Sequence, residues 1–165
     1  MKKIALIMGS DSDLKVVEKA IDVLQAFEAE YEVHVFSAHR TPEQVRTFAE
    51  TAHENGFGVI IAAAGMAAHL AGAVAAASVL PVIAIPISAK HLEGMDALLS
   101  SVMMPPGIPV ACVGIDGAKN AALLALQILA VNDSALYEKL RQNRAEAARL
   151  VLEKDAAITQ KYKHI

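Results

Sequence analysis

Apolar runs and amphipathic segments alternate along the chain, and this alternation predicts strands and helices in turn. The run Lys3–Met8 is apolar without the alternation of a half-buried strand, which is typical of a strand buried on both faces. The segment Leu14–Phe27 carries apolar residues at helical spacing. Further strands are predicted at Tyr31–Phe36, Gly58–Ala63, Pro81–Pro86 and Ile108–Gly114. Further helices are predicted at Pro42–Asn55, Ala67–Ser78, Met95–Val102, Lys119–Val131 and Ser134–Lys154.

Strands that alternate with helices favour an open parallel sheet with helices on both faces. We therefore predict an α/β fold, a flavodoxin-like three-layer α/β/α domain with a parallel sheet and an extended C-terminal helix. Residues 1–165 are predicted to form a single domain, in which 1–132 is the α/β core and 133–165 is a C-terminal helix and tail. The almost uniformly apolar helices at Ala67–Ser78 and Lys119–Val131 exceed what one domain buries easily. We therefore also predict a homo-oligomer in which 133–165 packs on a neighbouring subunit.

Composition narrows the possible classes of protein. The net charge of -3 over 165 residues argues against a nucleic-acid-binding surface. The apolar run from Val59 to Ile87 is interrupted by glycine, histidine and proline, so it predicts buried strands and a helix rather than contact with a membrane. Cys112 is the only cysteine, which excludes a disulfide scaffold, and its apolar neighbours predict a small buried core residue. No secretory signal is visible before the first strand, so we expect a cytoplasmic protein.

Polar residues follow three of the predicted strands, in the loops Gly9–Asp13, Ser37–Arg40 and Ala64–His69. The carboxyl ends of parallel strands open on one edge of the sheet, and ligands bind at that edge in such folds. The second loop gathers a hydroxyl, an imidazole and a guanidinium. This combination suggests an anion site with a proton-transfer group.

The first two loops contain the candidate anion-binding groups. Gly9 and Ser10 precede a helix and offer backbone N–H groups and a hydroxyl, which suit a phosphate. Alone this signal is weak, because Gly-Ser turns are common before helices. Arg40 is either a surface cation or, beside Ser37, a phosphate clamp. Asp13 is either a helix cap or an acceptor for a sugar hydroxyl.

Local capping signals accompany these loops. Thr41 is predicted to cap the helix after the second strand, with Gln44 at the capping-box position. Ser12 or Asp13 is predicted to cap the first helix, and Ser134 the last.

Two of the six histidines are candidates for catalysis. His39 and His69 each lie at the carboxyl end of a strand, and an imidazole near neutral pH can act as a general acid or base. They lack the spacing and the carboxylate neighbours of a metal site, so no metal is predicted. The remaining histidines are interpreted as structural or solvent-exposed: His34, His53, His91 and His164.

Five motifs stand in order along the chain, and together they carry a resemblance to a known family. They are Met8–Asp13, Ser37–Pro42, Ala67–Leu70, Met104–Val110 and Ala118–Ala125. Together they resemble the N5-carboxyaminoimidazole ribonucleotide mutases of purine biosynthesis, over the chain from Ile4 to about Asn132.

The resemblance implies an isomerase that moves a carboxylate from N5 of N5-carboxyaminoimidazole ribonucleotide to C4 of the imidazole. The product is 4-carboxy-5-aminoimidazole ribonucleotide, the CO2 is held in the site, and no cofactor is needed. The resemblance implies that His39 is the general acid/base, with His69 close to it, and that the assembly is an octamer. The substrate-binding residues that it implies are Ser10, Ser37 and Arg40 near the phosphate, Asp13 near the ribose, Gly9 and Ser12 in the same loop, and Ala64, Gly65, Ala67 and Leu70 around the base and carboxylate.

Related aminoimidazole ribonucleotide carboxylases, which take up CO2 directly, are the alternative within this fold. Their counterpart of the Arg40 motif usually carries lysine, and their third loop resembles Gly-Arg-Ser-Asn, so Arg40 and His69 favour the mutase. The chain departs from the usual mutase pattern at Met66, where glycine is usual, at Ala71, where proline is usual, and at Met103, where glutamine is usual. We expect Met66 to crowd the pocket if its backbone has a positive φ.

Two other classes of protein compete with an enzyme that acts on a small ribonucleotide 5'-phosphate. A flavodoxin-like electron carrier or nucleotide-binding module would need an aromatic residue to stack on a flavin, and the chain has no Trp. A colourless purified protein would exclude the flavin-binding form. A structural assembly protein would not need His39, Arg40 and Ser10 at one edge of the sheet.

Overall fold

The computed structural model describes residues 1–163, which form a five-stranded parallel sheet covered by helices on both faces. The strands are β1 (Lys3–Met8), β2 (Tyr31–Val35), β3 (Phe57–Gly65), β4 (Val82–Ile87) and β5 (Ala111–Cys112). Their order in the sheet is β2-β1-β3-β4-β5. This is the strand order of flavodoxin-like folds, so the predicted fold class is confirmed.

Six α-helices connect and extend this sheet within residues 1–163. They are α1 (Leu14–Ala26), α2 (Pro42–Thr51), α3 (Leu70–Ala77), α4 (Met95–Val102), α5 (Ala118–Ala130) and α6 (Ser134–Lys161). A short 3-10 turn, Asp11–Asp13, leads into α1. No helix in this part of the chain is both long and apolar enough to cross a membrane.

The sheet separates two hydrophobic clusters, and β1 contributes to both. Ile4 and Leu6 pack on one side with α1, α5 and the start of α6, while Ala5 and Ile7 pack on the other side with α2 and α3. A strand buried on both faces needs no polar alternation, which explains the uniformly apolar sequence of β1. All five strands are parallel and end at one edge of the sheet, and the loops after β1, β2, β3 and β4 carry the candidate site there.

Several predicted boundaries are wrong. α2 ends at Thr51 instead of Asn55, because the chain turns before Gly56, which has a φ of +87°. β5 pairs with β4 through only two residues, and the three prolines between residues 105 and 109 lack the N–H donor that strand pairing needs. α6 continues to Lys161 rather than Lys154, since no glycine or proline interrupts it.

The capping predictions are also wrong in detail. Asp133 caps α6 by accepting a hydrogen bond from the backbone N–H of Leu136 at 3.0 Å, and Ser134 is the first helical residue. Asp13 occupies the N-cap position of α1, but neither it nor Thr41 caps its helix with a side-chain hydrogen bond. The Thr41 hydroxyl bonds to Ser37 instead, and this contact shapes the candidate site.

Cys112 and three of the remaining histidines, His34, His53 and His91, lie outside the candidate site. Cys112 is half-buried, not fully buried as predicted, because β5 is the edge strand of the sheet; burial still raises the pKa of its thiol. His34 is partly buried and stacks on Phe36, with ring centroids 5.0 Å apart. His53 and His91 are exposed, and His164 lies outside the described residues.

Gly94 provides a test of the loop between β4 and α4. Its φ is +88°, and a Cβ there would lie 2.6 Å from Cγ2 of Ile115 and 3.1 Å from Cα of Ser88. We expect Gly94→Ala to lower the free energy of unfolding by about 1–3 kcal/mol. Gly114→Ala is the matched control, because a Cβ at Gly114 meets nothing within 4 Å. Urea denaturation of both variants measures the difference, and equal stabilities would contradict this account of the loop.

Candidate active site

The loops that follow β1, β2, β3 and β4 surround one cavity of about 570 Å³ at the carboxyl edge of the sheet. All twelve residues predicted for the site line it: Gly9, Ser10, Ser12, Asp13, Ser37, His39, Arg40, Ala64, Gly65, Ala67, His69 and Leu70. Parallel pairing brings them together, because Met8 at the end of β1 pairs with Val35 at the end of β2 and with Ala63, two residues before the end of β3.

The second loop is a closed turn held by Thr41. The backbone N–H of Thr41 donates to the carbonyl of Ser37 at 2.8 Å. The Thr41 hydroxyl accepts from the backbone N–H of Ser37 at 2.8 Å and donates to the Ser37 carbonyl at 3.2 Å. Side-chain bonds to local backbone compete with helix capping. These contacts fix the turn that presents His39 and Arg40 to the cavity.

Arg40 joins the second loop to the first. Its Nη2 donates to the carbonyl of Gly9 at 2.9 Å, and its Nε lies 3.5 Å from the Ser37 hydroxyl. A guanidinium has five N–H donors, so these two contacts leave donors for a ligand. The backbone N–H of Gly9 donates to the carbonyl of Ala63 at 3.0 Å. The prediction that Gly9 offers a free N–H group is therefore wrong, since the strand pairing extends through it.

His39 and His69 form a hydrogen-bonded pair across two loops. Nε2 of His39 lies 2.8 Å from Nδ1 of His69, and the rings meet edge to face at 87°. One of these nitrogens donates the proton and the other accepts it. Both side chains are exposed to the cavity. The pair can therefore deliver a proton to a ligand and take one back.

The third loop contains the strained residue Met66. Its φ is +52°. A positive φ is the condition under which the Met66 side chain was expected to crowd the pocket. The backbone N–H groups of Ala68 and His69 donate to the carbonyls of Met66 and Ala67, both at 2.9 Å. Because of these consecutive turns, α3 begins at Leu70 and not at Ala67 as predicted. The helix then begins with His69 at its N-cap position.

The other two departures from the usual mutase pattern lie on different elements. Ala71 is the second residue of α3 and is buried, so the helix keeps its first turn without a proline. Met103 is the residue after α4, and 80% of it is exposed. It does not line the cavity.

Asp13 is the buried charge of the site, with 8% of its surface exposed. Burial raises the pKa of its carboxyl above the usual value, and repulsion from Asp11 adds to this effect. Hydrogen bonds from the Ser12 hydroxyl and the Ser10 backbone and the charge of Arg40 act in the opposite direction. The ionised carboxyl of Asp13 has lost part of its hydration at the cavity wall. It therefore gains strongly by accepting a hydrogen bond from a ligand hydroxyl.

Sequence reasoning missed four lining residues: Ala38, Ile87, Ser88 and Ala89. Met66, which was expected to crowd the pocket, also lines the cavity. Ile87 ends β4, and Ser88 and Ala89 follow it, at the same edge as the other three loops. The rule that found those loops could also have found this fourth one. The backbone N–H of Ser88 donates to Oδ1 of Asp116 at 2.9 Å, which ties the loop to the segment after β5.

Metal-binding side chains do not gather in this cavity. Among residues 1–163, no three His, Cys, Asp or Glu residues lie together in an arrangement that could hold a metal ion. The site offers a guanidinium, hydroxyls, a carboxylate and an imidazole pair, which can bind an anion and transfer protons.

The sequence profile of the AIR carboxylase family matches residues 3–149. This chain belongs to the AIR carboxylase family. It is 58% identical over 149 residues to an N5-carboxyaminoimidazole ribonucleotide mutase of Pyrococcus abyssi, covering 90% of this chain and 86% of the relative. It is 51% identical over 160 residues to the enzyme of the same name from Methanocaldococcus jannaschii, covering 97% of this chain and 99% of the relative.

A carboxylase and a solved structure also match this member of the AIR carboxylase family. The chloroplastic phosphoribosylaminoimidazole carboxylase of Vigna aconitifolia is 46% identical over 149 residues, which are 90% of this chain and 27% of the relative. The crystal structure of Treponema denticola PurE superposes with a TM-score of 0.86 at 30% identity, over 98% of this chain and 99% of that chain. The resemblance stated from the five motifs and the predicted fold are thus confirmed.

Asp13 provides a test that separates folding from binding. Because its folded-state pKa is raised, its contribution to stability is fully present below the unfolded pKa of about 3.9 and is lost as pH rises through the folded pKa. We expect Asp13→Asn to remove this loss, so that the stability of the variant relative to the parent increases from pH 3.5 to pH 7. Urea denaturation across that range measures the difference.

The same substitution is expected to weaken binding of a ribonucleotide by roughly tenfold to a hundredfold, the cost of losing a charged hydrogen-bond acceptor. Asp22→Asn is the control, because Asp22 is exposed on α1 and does not line the cavity. A parallel loss of stability and binding in Asp13→Asn would contradict the assignment of a buried, binding carboxylate.

Proposed function

We propose that this chain is an N5-carboxyaminoimidazole ribonucleotide mutase of purine biosynthesis. The observation that carries the proposal is the His39–His69 pair, at 2.8 Å, in a cavity that also contains Arg40 and Asp13. The substrate is a ribonucleotide 5'-phosphate, and the reaction is an isomerisation that needs only proton transfer and retention of CO2. No cofactor and no metal are part of the proposal, and the enzyme acts in the cytoplasm.

The substrate phosphate binds between the first two loops. Arg40 supplies a charge and free guanidinium donors there, and the hydroxyls of Ser10 and Ser37 line the same side of the cavity. Gly9 and Ser12 complete this loop. Asp13 accepts a hydrogen bond from a ribose hydroxyl, which offsets the cost of its burial.

His39 acts first as an acid and then as a base. It protonates N5 of the substrate, and the bond between N5 and the carboxylate carbon breaks with its electron pair kept by N5. CO2 and aminoimidazole ribonucleotide are formed, and C4 of the enamine then attacks the CO2 carbon. A base removes the proton from C4, which restores the ring and balances the first proton transfer. Between the two steps His39 has given up its proton, and its hydrogen bond with His69 keeps the imidazole in place to accept the proton from C4.

The third loop holds the base and the CO2. Ala64, Gly65, Ala67 and Leu70 line the cavity with small or apolar surface, which suits a neutral apolar molecule. A Cβ at Gly65 would lie 3.3 Å from the carbonyl oxygen of Ile87, so the loop packs closely against β4. This close packing keeps the pocket small.

The mutase is favoured over a direct carboxylase by the pattern of relatives. The relatives from Pyrococcus abyssi and Methanocaldococcus jannaschii that match most of both chains carry the mutase name. In the Vigna aconitifolia carboxylase the match covers only 27% of a longer protein. The His69 and Arg40 motifs support the same choice.

The enzyme is a homo-oligomer, with an octamer as the expected form. Large apolar side chains are exposed on the single chain, and within residues 1–163 nothing covers α6 beyond Leu140. The exposed apolar side chains of α6 are Tyr137, Leu150, Val151, Leu152 and Ile158. A groove of about 680 Å³ also lies between the end of α5 and the start of α6. Residues 1–132 then form the core, and 133–165 packs on a neighbouring subunit.

The reaction is tested with the purified enzyme and 4-carboxy-5-aminoimidazole ribonucleotide. We expect interconversion with the N5-carboxy isomer that does not depend on added bicarbonate. His39→Asn should lower turnover by roughly 10²–10⁴-fold, since it removes the general acid/base. His53→Asn is the control, because His53 is exposed and does not line the cavity. A fully active His39→Asn enzyme would contradict the role of His39. Interconversion only with free aminoimidazole ribonucleotide and bicarbonate would contradict the mutase assignment.

The assembly is tested by light scattering on the full chain. Val151 and Ile158 are exposed on one side of α6, so the pair Val151→Glu and Ile158→Glu costs little in an isolated chain but buries charge in an assembly. We expect the parent to have the mass of an octamer and this variant a smaller mass. The pair Ala156→Glu and Gln160→Glu, on the opposite side of the helix, should keep the parent mass. A monomeric parent would refute the proposal.

A further inference from the structure

The segment between β5 and α5 contains a strained residue, Asp116, that does not line the cavity. Its φ is +54°, a conformation that few non-glycine residues adopt, although aspartate tolerates it better than most. The N–H of Gly117 donates to the carbonyl of Gly114 at 2.9 Å, so the half-buried Asp116 lies in a closed turn just before α5. Strain of this kind persists only where the surrounding contacts fix it.

Asp116 forms two hydrogen bonds with the end of β4. Its backbone N–H donates to the carbonyl of Pro86 at 2.9 Å, and its Oδ1 accepts from the backbone N–H of Ser88 at 2.9 Å. One residue therefore holds the chain on both sides of Ile87, the last residue of β4. β5 pairs with β4 through only two residues, both well before this point, so Asp116 takes over where the strand pairing ends.

The chain that Asp116 holds is one wall of the cavity. Ile87, Ser88 and Ala89 line the cavity, and we call these three residues the β4 wall. Ile87 pairs with Gly65 in β3, and a Cβ at Gly65 would lie 3.3 Å from the carbonyl oxygen of Ile87. The β4 wall and the third loop are thus in close contact, and a shift of one displaces the other.

The strand order places the β4 wall far from the phosphate end of the cavity. The sheet runs β2-β1-β3-β4, and the second loop, with Arg40, follows β2. Three strand spacings separate the end of β2 from the end of β4, which is roughly 14 Å. In the proposed function the third loop holds the base, and the β4 wall lies directly beside that loop.

We infer that Asp116 is a positioning residue, which fixes the β4 wall and through it the base of the substrate. This inference rests on the proposed isomerisation. The reacting atoms of the base must be aligned with the His39–His69 pair, and a misplacement by about 1 Å lowers turnover strongly. Asp116 then acts on the chemistry without touching the substrate, and binding of the phosphate at Arg40 does not depend on it.

The test compares Asp116→Gly with Asp116→Asn. Glycine suits the φ of +54° but removes the acceptor for the Ser88 N–H, while asparagine keeps a side-chain oxygen and also tolerates this backbone. Glu28→Gly is the matched control, because Glu28 has a φ of +55°, is exposed and does not line the cavity.

Three readouts separate positioning from a general loss of structure. The first is kcat and KM for interconversion of the two carboxylated ribonucleotides. The second is the inhibition constant of ribose 5-phosphate, which lacks the base and reports only on the phosphate and ribose end of the cavity. The third is the urea midpoint.

We expect Asp116→Gly to lower kcat by roughly tenfold to a hundredfold. Its inhibition constant for ribose 5-phosphate should equal that of the parent. Its urea midpoint should stay close to that of the parent, because relief of the backbone strain offsets the lost hydrogen bond. Asp116→Asn should recover most of the turnover, and Glu28→Gly should match the parent.

Two kinds of failure are distinguishable. If the parent interconverts the isomers and Asp116→Gly keeps its kcat, the inference is overturned while the mutase assignment stands. Equal losses in Asp116→Gly and Asp116→Asn, or weaker binding of ribose 5-phosphate in parallel with lost turnover, would also overturn it. If the parent itself does not interconvert the isomers, the proposed function fails and the inference fails with it.

Discussion

The register of the parallel sheet is the constraint on which the rest of the structure depends. Met8, the last residue of β1, pairs with Val35 on one side and with Ala63 on the other. The three loops therefore leave the same edge of the sheet within two residues of one another in register, and this brings the side chains that they carry together. Burial of β1 on both faces fixes this register, because a slip by one residue would exchange its two packed faces.

Short polar contacts within and between the three loops hold them together as one site. Thr41 closes the turn from Ser37, Arg40 bonds the carbonyl of Gly9, and His39 meets His69 from another loop. Each contact satisfies a backbone or ring group that would otherwise depend on water. Two features of the same site lower the free energy of unfolding. They are the burial of the Asp13 carboxyl and the positive φ of Met66. Such costs persist where function requires them.

The outer surface of the single chain suits an assembly better than an isolated protein. The two hydrophobic clusters are complete with α1–α5 and the first turns of α6, and the remainder of α6 projects with its side chains exposed. Ion pairs between Arg149 and Glu146 or between Arg141 and Glu138 stabilise that helix locally. Exposed ion pairs contribute little to folding. The proposed packing of α6 on a neighbouring subunit would account for so long an exposed helix.

The sequence determined the fold and the three loops after β1, β2 and β3 that line the cavity, because both depend on local pattern and on a general rule for parallel sheets. The apolar run of β1, the helical spacing of α1 and the polar residues after β1, β2 and β3 were sufficient for that. Only the tertiary structure decided the contacts: the occupied N–H of Gly9, the Thr41 hydroxyl turned towards Ser37, the 2.8 Å contact between His39 and His69, and the backbone of Met66. The contacts depend on which loops lie side by side and on ångström-scale distances, and a pattern of residue types along one chain does not contain them. The loop after β4 was also found only in the structure, although the rule for parallel sheets could have predicted it.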